Sequence, residues 1–536
     1  MRRTAGLTSF VAAVAMAWGA LAAPAGHPIL QVGLAPGLSA PTGGRLLVFA
    51  QPIAAAQAKA KNGELPPVDL DPFDGVGSAV AATEVARVAP GEVLDIDLDG
   101  VTFPQAFSHL PPGEYAMQAV LDVNHDYNYA GRGAGDLVSP VTRMRLPLDS
   151  AAALTLSKAL PARDPWTRLP GVKAGDAEGM AALRAHVAPI AFTSPALSAF
   201  WGRPIAMLGW VLTPPGYEPG AKATYPTVYV TSGFGGNFAG LLRPASTTYA
   251  AMAAHQAPPM IWVFLDHSSP VGTHEFADGV NNGPWGRALT QELIPDLERH
   301  YRMDARVSSR FVTGHSSGGW ATLWLQTRYP KVFGGAWATA PDPSDFHDFT
   351  GVDIYAPHAN VYRKPDGSAW PLVRDHGQVV ASLEQFVRME EALGDYGGQF
   401  RAFDWVFSPK GPDGRPLPMF NRATGDVDPA VVAYWRDHYD IAHRLAASWP
   451  ALKPDLDGKI RVAVGTADTF YLDGAAHRLQ GVLDGLGAKS RFQFIPDRTH
   501  LDLYKIGDDD RALLNVFAWE MYAVARPGSR PPAAGN

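Results

Sequence analysis

The run Gly314-His315-Ser316-Ser317-Gly318 places a serine between two glycines, in a pattern that could carry nucleophilic catalysis. Glycine accounts for 54 of 536 residues, so the pattern alone has little weight. Its surroundings strengthen it, because 310–313 is typical of a strand and 321–325 is typical of a helix. A sharp turn between strand and helix would force the hydroxyl of Ser316 out of both elements. We therefore predict that Ser316 is a nucleophile; the alternative is a serine in an ordinary glycine-rich turn.

A serine hydroxyl needs a neighbouring base, and the base needs an acid that orients it. His500 follows a predicted strand at 491–495 through a short loop, which brings it to the carboxyl edge of the sheet, near Ser316. Asp468 follows a predicted strand at 460–464 and is the preferred acid, so that the chain order is Ser, Asp, His. His500 could instead be an ordinary surface-loop histidine. Three other carboxylates remain possible as the acid: Asp473, Asp342 and Asp345.

The negative charge that develops on a substrate oxygen during acyl transfer needs backbone N–H donors. Ser317 directly follows the nucleophile and is expected to supply one of them. The apolar strand at 227–231 precedes the glycine-rich turn Ser232-Gly-Phe-Gly-Gly236, in which Phe234 is the expected second donor and Gly235 the alternative. A flexible loop without this role is the other interpretation of the turn.

These motifs resemble those of the α/β-hydrolase esterases that include esterase D and the enterochelin esterases, relatives of feruloyl and acetyl-xylan esterases. The similarity extends over 205–525 and includes the two glycine-rich turns, Asn282-Gly-Pro-Trp285 and Glu292-Leu-Ile-Pro-Asp296. Ser232 stands where the family often has histidine. The resemblance implies an α/β-hydrolase fold and a carboxylic ester substrate. It also implies a β-sandwich before the hydrolase domain, as in the enterochelin esterases.

The chain divides into a β-rich part and an α/β part. Short alternating runs and frequent turns over 27–160 predict a β-sandwich-like domain, and the less periodic 161–204 is interpreted as a linker region. Over 205–525, apolar strands alternate with helices, which predicts a mostly parallel sheet flanked by helices. Within it, 341–454 is expected to be an insertion that covers the site. A flexible tail rich in proline and glycine is expected at 526–536.

Two helices of the α/β part are predicted from spacing. Leu289, Leu293 and Leu297 recur every four residues and define one helix face, which Pro295 should bend or interrupt. A second helix is predicted near 379–393, within the insertion.

Composition limits the class of protein. With 46% hydrophobic and 18% charged residues, the chain can form two or three globular domains. A net charge of -7 provides no basic surface for a polyanion, so nucleic-acid binding is not expected. Cysteine is absent, which excludes disulfides, thiolate metal sites and a cysteine nucleophile.

Residues 1–22 have the pattern of a signal peptide: Arg2 and Arg3 precede an apolar run from Phe10 to Leu21. The run is shorter than a membrane-spanning helix needs, although an N-terminal anchor is the alternative. We therefore expect cleavage near Ala22, export to the bacterial periplasm or beyond, and no membrane span in the mature protein.

The segment from Asp122 to Asn128 spaces oxygen-bearing side chains at alternate positions, like the start of a calcium loop. Tyr127 occupies the position of the usual glycine and Gly133 that of the usual glutamate, although Asp136 could close the loop. A hairpin turn rich in Asp and Asn is therefore the preferred interpretation. Catalysis is expected to need no metal or organic cofactor.

Together, these features predict an exported serine esterase that hydrolyses a small-molecule or carbohydrate-linked ester through an acyl-enzyme. The alternatives are an acyltransferase or a serine peptidase on the same fold, or a non-catalytic protein that binds carbohydrate or another partner on a hydrolase scaffold. Chemically competent residues at Ser316, His500 and Asp468 favour the enzyme.

Overall fold

The computed structural model describes residues 27–38, 42–70, 77–149, 152–173, 175–394 and 396–529. The expected signal peptide and most of the expected tail lie outside these residues. Within the described ranges, no helix is both long enough and apolar enough to cross a membrane.

The first part of the chain consists mainly of β-strands. They are β1 (Ile29–Leu34), β2 (Thr42–Pro52), β3 (Ala79–Val88), β4 (Val93–Asp97), β5 (Val101–Phe103), β6 (Gly113–Asp122), β7 (Leu137–Val138), β8 (Thr142–Leu146), β9 (Ala153–Leu156) and β10 (Lys158–Ala159). Two short helices, α1 (Ile53–Ala58) and α2 (Tyr127–Ala130), interrupt them. The strands form a three-stranded sheet, β4-β1-β9, and a seven-stranded sheet, β10-β7-β6-β2-β3-β5, in which β8 pairs with β6.

The larger sheet buries both of its faces. Because side chains alternate along a strand, Leu46 and Val48 of β2 lie in one hydrophobic cluster with Leu30 and Val32 of the smaller sheet. Leu47 and Phe49 point to the opposite face and join a second cluster, to which the much later Met389 and Leu393 contribute. The β-rich part therefore packs directly against the α/β part.

The second part is built on an eight-stranded sheet. The remaining strands of the chain are β11 (Val187–Thr193), β12 (Ala206–Leu212), β13 (Thr227–Thr231), β14 (Ile261–Leu265), β15 (Ser268–Ser269), β16 (Gly272–Thr273), β17 (Asp278–Gly279), β18 (Gly283–Pro284), β19 (Arg310–His315), β20 (Gly335–Thr339), β21 (Pro371–Asp375), β22 (Gln378–Ser382), β23 (Ile460–Gly465) and β24 (Ser490–Ile495). The order in the sheet is β11-β12-β14-β13-β19-β20-β23-β24. The pairs β11–β12 and β12–β14 are antiparallel, and the other five pairs are parallel. The short strands form separate two-stranded hairpins.

The helices of this part cover both faces of the sheet. They are α3 (Ala177–His186), α4 (Pro195–Trp201), α5 (Leu242–Ala253), α6 (Trp285–Ala288), α7 (Ile294–His300), α8 (Ser317–Arg328), α9 (Leu383–Leu393), α10 (Gln399–Phe407), α11 (Pro429–Tyr439), α12 (Ile441–Leu456), α13 (Leu472–Gly485) and α14 (Ala512–Ala525). Trp262 and Phe264 of β14 pack with α5 and α14, whereas Ile261 and Val263 pack with α7.

The predicted sheet strands are present, each within two residues at either end. The linker prediction at 161–204 was wrong in part, because β11 at 187–193 forms the edge of the large sheet. Its Pro189 cannot donate to a neighbouring strand, and an edge strand tolerates this.

The two helix predictions also differ from the structure in detail. Residues 378–382 form β22 rather than helix, and Ser382 then begins α9 with a capping box that includes Gln385. The helix predicted around Leu289, Leu293 and Leu297 is divided into a π-helical segment at Leu289–Leu293 and α7, and Pro295 lies in the first turn of α7. The missing N–H of proline is tolerated at that position.

Candidate active site

The glycines around Ser316 allow β13, β19 and α8 to meet closely. Strand β19 ends at His315, α8 begins at Ser317, and Ser316 between them has a φ of 60°. A Cβ atom at Gly314 would lie 2.2 Å from Oγ1 of Thr231, and one at Gly318 would lie 2.2 Å from the carbonyl oxygen of Thr231. Only glycine fits at these two positions. The turn therefore presents Ser316 in a strained conformation at the carboxyl edge of the sheet.

His500 and Asp468 meet at the same edge, in the loops that follow β24 and β23. Nδ1 of His500 lies 2.9 Å from Oδ2 of Asp468, and both side chains are buried. The other oxygen of Asp468 accepts hydrogen bonds from the N–H groups of Phe470 and Leu472. Burial alone would raise the pKa of Asp468, but the charge and hydrogen bond of His500 and these two N–H donors hold it below its usual range. Asp468 is thus suited to orient His500 and to balance a positive charge on it.

The other carboxylates considered as the acid have different partners. Asp473 forms an ion pair with Arg374 at 2.8 Å, and Nε of the same arginine donates to the carbonyl oxygen of Asp468. Asp345 accepts from the N–H of His347 and pairs with Arg478 at 3.3 Å. The structure therefore brings Asp468, rather than these two, to His500.

Asp342 contacts the candidate nucleophile itself. Its Oδ1 accepts a hydrogen bond from Oγ of Ser316 at 3.3 Å, and its Oδ2 accepts one from Oγ of Ser317 at 2.7 Å. Burial raises the pKa of Asp342 to about 6, although the two serine hydroxyls and the positive charge of His500 oppose the rise. The sequence had suggested Asp342 only as a partner for the histidine.

The expected oxyanion residues lie beside Ser316. A hydrogen bond from the N–H of Gly236 to the carbonyl of Gly233 closes a β-turn, and Gly235 has a φ of +81°, which favours glycine at that position. A Cβ atom at Gly233 would lie 3.3 Å from Cβ of Ser316, so the turn borders Ser316 directly. Nε2 of His267 lies 3.1 Å from the carbonyl oxygen of Gly233, and this contact holds the turn. Phe234 occupies the middle of this turn, and Ser317 is the first residue of α8.

A cavity of about 620 Å³ opens onto Ser316 and His500. Three separate parts of the chain line it. The β-rich part contributes Tyr127, Asn128 and Tyr129; the α/β part outside 341–454 contributes Phe234, His315 and Phe470; and the segment 341–454 contributes Phe386, Met389 and Gln399. The contribution of 341–454 comes from the segment that the sequence predicted to be an insertion. The contribution of the β-rich part was not predicted from the sequence, although the motif at 122–128 had identified this segment as unusual.

That motif forms a compact loop built on carboxylate-to-backbone hydrogen bonds. Asp122 accepts from the N–H groups of Asn124 and Tyr127, and Asp136 accepts from those of Val123 and Gly133. These bonds are those of an Asx-rich turn. They provide backbone partners for two carboxylates of the loop, Asp122 and Asp136.

Among the described residues, one group has ligand atoms close enough together to hold a metal ion: Asp345, His347 and Asp440. Asp440 already accepts from Tyr355 and from the N–H groups of Phe346 and His443. Since Asp345 pairs with Arg478, the group is a network of internal hydrogen bonds and ion pairs.

The chain is similar to one family model and to several solved structures. The family model described as "Putative esterase" matches residues 206–483. A search of curated proteins found no match. Among solved structures, a ferulic acid esterase is similar at 13% identity and a TM-score of 0.38, covering 63% of this chain and 98% of its own. An S-formylglutathione hydrolase from Agrobacterium tumefaciens is similar at 15% identity and a TM-score of 0.37, covering 63% and 94%. The fluorophosphonate-binding serine hydrolase F of Staphylococcus aureus has 12% identity and a TM-score of 0.37, covering 63% and 98%.

The matched range of the family model takes in the turn at Phe234, the Ser316 turn and Asp468, and it covers more than half of the chain. It also confirms the resemblance that the sequence motifs indicated. The chain therefore belongs to this esterase family, and the protein is a carboxylic ester hydrolase with an α/β-hydrolase fold.

Proposed function

We propose that the protein is an exported serine esterase in which Ser316 is the nucleophile, His500 the general base and Asp468 the orienting acid. The observation that carries the proposal is the 2.9 Å contact of the buried His500 and Asp468, together with the cavity that His500 shares with Ser316. The roles follow from chemistry: a serine hydroxyl needs a base, and an imidazole bonded through Nδ1 presents Nε2 to the substrate side.

In the proposed reaction, Oγ of Ser316 attacks the carbonyl carbon of the ester, and its proton passes to Nε2 of His500. The N–H groups of Ser317 and Phe234 bind the oxygen on which negative charge develops. The tetrahedral intermediate expels the alcohol, which takes the proton from His500, and leaves an acyl group on Ser316. Water, deprotonated by His500, then attacks this acyl-enzyme and releases the acid.

The immediate surroundings support these roles. Two backbone N–H groups and His500 keep Asp468 ionised, so that it can stabilise the imidazolium in both steps. The turn at Gly233–Gly236 is held against Ser316 by the ring of His267. Donors that are fixed before the reaction need no rearrangement as the charge develops.

We further propose the division of the chain that the sequence suggested. Residues 27–160 form a β-sandwich-like domain. In support of this division, strands of its two sheets share one hydrophobic cluster. The catalytic domain is built on a mostly parallel sheet and carries the insertion at 341–454. Export rests on the signal-peptide pattern of residues 1–22.

Hydrolysis of p-nitrophenyl acetate by the wild type and by Ser316→Ala tests the proposal. We expect the wild type to turn over the ester and to be labelled by a fluorophosphonate, and Ser316→Ala to lose both properties while it stays folded. Turnover that survives in Ser316→Ala would overturn the assignment of the nucleophile. A wild type without either property would overturn the catalytic proposal as a whole.

A further inference from the structure

One side chain of the β-rich part contacts the oxyanion turn directly. The hydroxyl of Tyr129 donates a hydrogen bond to the carbonyl oxygen of Gly236. The ring of Tyr129 meets that of Phe234 edge-on, with 5.0 Å between the ring centroids and 78° between the planes. Tyr129 therefore contacts both the end of the turn and the residue that we propose as its oxyanion donor.

The turn fits against Tyr129 with little free space. A Cβ atom at Gly235 would lie 3.3 Å from the carbonyl oxygen of Tyr129, which leaves little room for a larger residue. Burial raises the pKa of Tyr129 well above its ordinary value, and the negative charges of Asp266 and Glu275 raise it further. The phenol thus keeps its proton and remains a donor to Gly236.

Tyr129 is itself held in place by neighbours on both sides. The amide of Asn128 donates to the carbonyl oxygen of Glu390 at 2.9 Å and to that of Gly394, which ties α2 to the end of α9. The ring of Tyr127 stacks on Phe49 of the larger sheet, with 5.6 Å between the centroids. Short helix α2 is therefore a fixed support rather than a free loop.

We propose that Tyr129 is a positioning residue for the oxyanion turn, so that the β-rich part of the chain completes the catalytic site. The inference rests on the proposed function, in which Phe234 supplies an oxyanion donor. Nε2 of His267 holds the beginning of the turn through Gly233, and Tyr129 holds its end through Gly236. With both ends fixed, the N–H of Phe234 keeps the direction that the developing charge requires.

The test compares Tyr129→Phe, Tyr115→Phe and Ser316→Ala in the full chain. Tyr115→Phe is the matched control, because its hydroxyl also donates to a backbone carbonyl of the β-rich part, that of Pro111 at 2.9 Å. The measurements are kcat and KM for p-nitrophenyl acetate, the inhibition constant of phenylboronic acid, and the Tm. Phenylboronic acid forms a tetrahedral adduct with a nucleophilic serine and so reports on the oxyanion site without turnover.

For Tyr129→Phe we expect kcat to fall about 10-fold, with KM changed by less than about 2-fold, because the lost bond supports an interaction of the transition state. The inhibition constant of phenylboronic acid should rise by a similar factor, whereas Tyr115→Phe should match the wild type in both measurements. A Tyr129→Phe variant with the kcat and inhibition constant of Tyr115→Phe would overturn the inference, provided that Ser316→Ala is inactive. Activity in Ser316→Ala would overturn the inference and the proposed function together.

Discussion

The hydroxyl of Ser316 lies 3.3 Å from Oδ1 of Asp342, a carboxylate that also accepts a 2.7 Å hydrogen bond from the next serine. The N–H of Asp342 donates to the carbonyl of Ser316 at 3.1 Å, so the two residues are joined by backbone as well as by side chains. Asp342 thus connects the end of β20 to the turn at Ser316. Because this carboxylate is buried, its ionisation should change the free energy of unfolding.

Asp342→Asn should change how stability depends on pH. Burial raises the pKa of Asp342 from 3.8 to about 6 in the folded protein. The folded state therefore holds this proton more tightly than the unfolded chain does. The resulting stabilisation is complete below the pKa of Asp342 in the unfolded chain, and it is lost as pH rises through the pKa in the folded protein. Asparagine cannot ionise, so the free energy of unfolding of the variant, relative to wild type, should rise by up to about 3 kcal/mol between about pH 4 and pH 7.5. Urea unfolding at several pH values measures this difference, and a difference that does not vary with pH would contradict the prediction.

Asp468→Asn should lower kcat by about a thousandfold or more, because the imidazole loses its orienting carboxylate. Asp473→Asn is the matched control five positions later in the chain, where the carboxylate pairs with Arg374. We expect Asp473→Asn to change kcat by less than about 5-fold, because a partly exposed ion pair contributes little energy. Steady-state kinetics with p-nitrophenyl acetate distinguish the two carboxylates. Loss of turnover in Asp473→Asn alone would show that the acid has been assigned to the wrong residue.

Arg45→Ala should destabilise the protein by about 2 to 4 kcal/mol. The buried guanidinium donates to the carbonyl of Ala392 from both Nε and Nη2 and to that of Glu391 from Nη2, so it satisfies the end of α9 from within the larger sheet. Removing it leaves these carbonyl groups without a charged donor. Arg143→Ala is the control: its 3.6 Å pair with Glu114 is exposed on both sides and should contribute less than about 1 kcal/mol. Urea unfolding measures both variants, and an equal decrease in the free energy of unfolding for Arg45→Ala and Arg143→Ala would contradict the prediction.

Gly318→Ala should prevent folding or lower the free energy of unfolding by more than about 3 kcal/mol. Its new Cβ atom would lie 2.2 Å from the carbonyl oxygen of Thr231 and 2.4 Å from that of Ser232, and both are backbone atoms. Gly481→Ala is the opposite case, because this glycine lies inside α13 with no atom within 4 Å of the added Cβ. There, alanine should stabilise the protein by about 0.5 to 1 kcal/mol through helix propensity. Thermal unfolding of the purified variants, or their failure to yield soluble protein, decides the outcome.

The local elements of the site were predictable from the sequence because they depend on nearby residues. Alternating strands and helices imply a sheet whose parallel strands end at one edge, so residues directly after those strands were expected to meet there. Ser316, Asp468 and His500 all follow strands in this way, and the last two are in contact. Glycines on both sides of Ser316 also indicated the tight turn. The resemblance to known esterases was visible in the same short motifs.

Other relationships depended on how distant segments pack. Asp468 and Asp473 lie in the same stretch after β23. Only the folded positions of His500 and Arg374 give the two carboxylates different partners. Asp342 reaches Ser316 because β20, which it follows, pairs with β19, the strand that ends just before Ser316.

The role of Tyr129 was also hidden from the sequence, because its partners Gly236 and Phe234 are more than a hundred positions away. No periodicity or turn pattern encodes such a contact, since it arises only when the β-rich part packs its larger sheet against α9. The sequence alone therefore indicated an ester hydrolase and predicted the edge of the sheet where Ser316, Asp468 and His500 lie. The tertiary structure decided which side chains surround the serine, because burial and packing between remote segments, rather than local propensity, place them there.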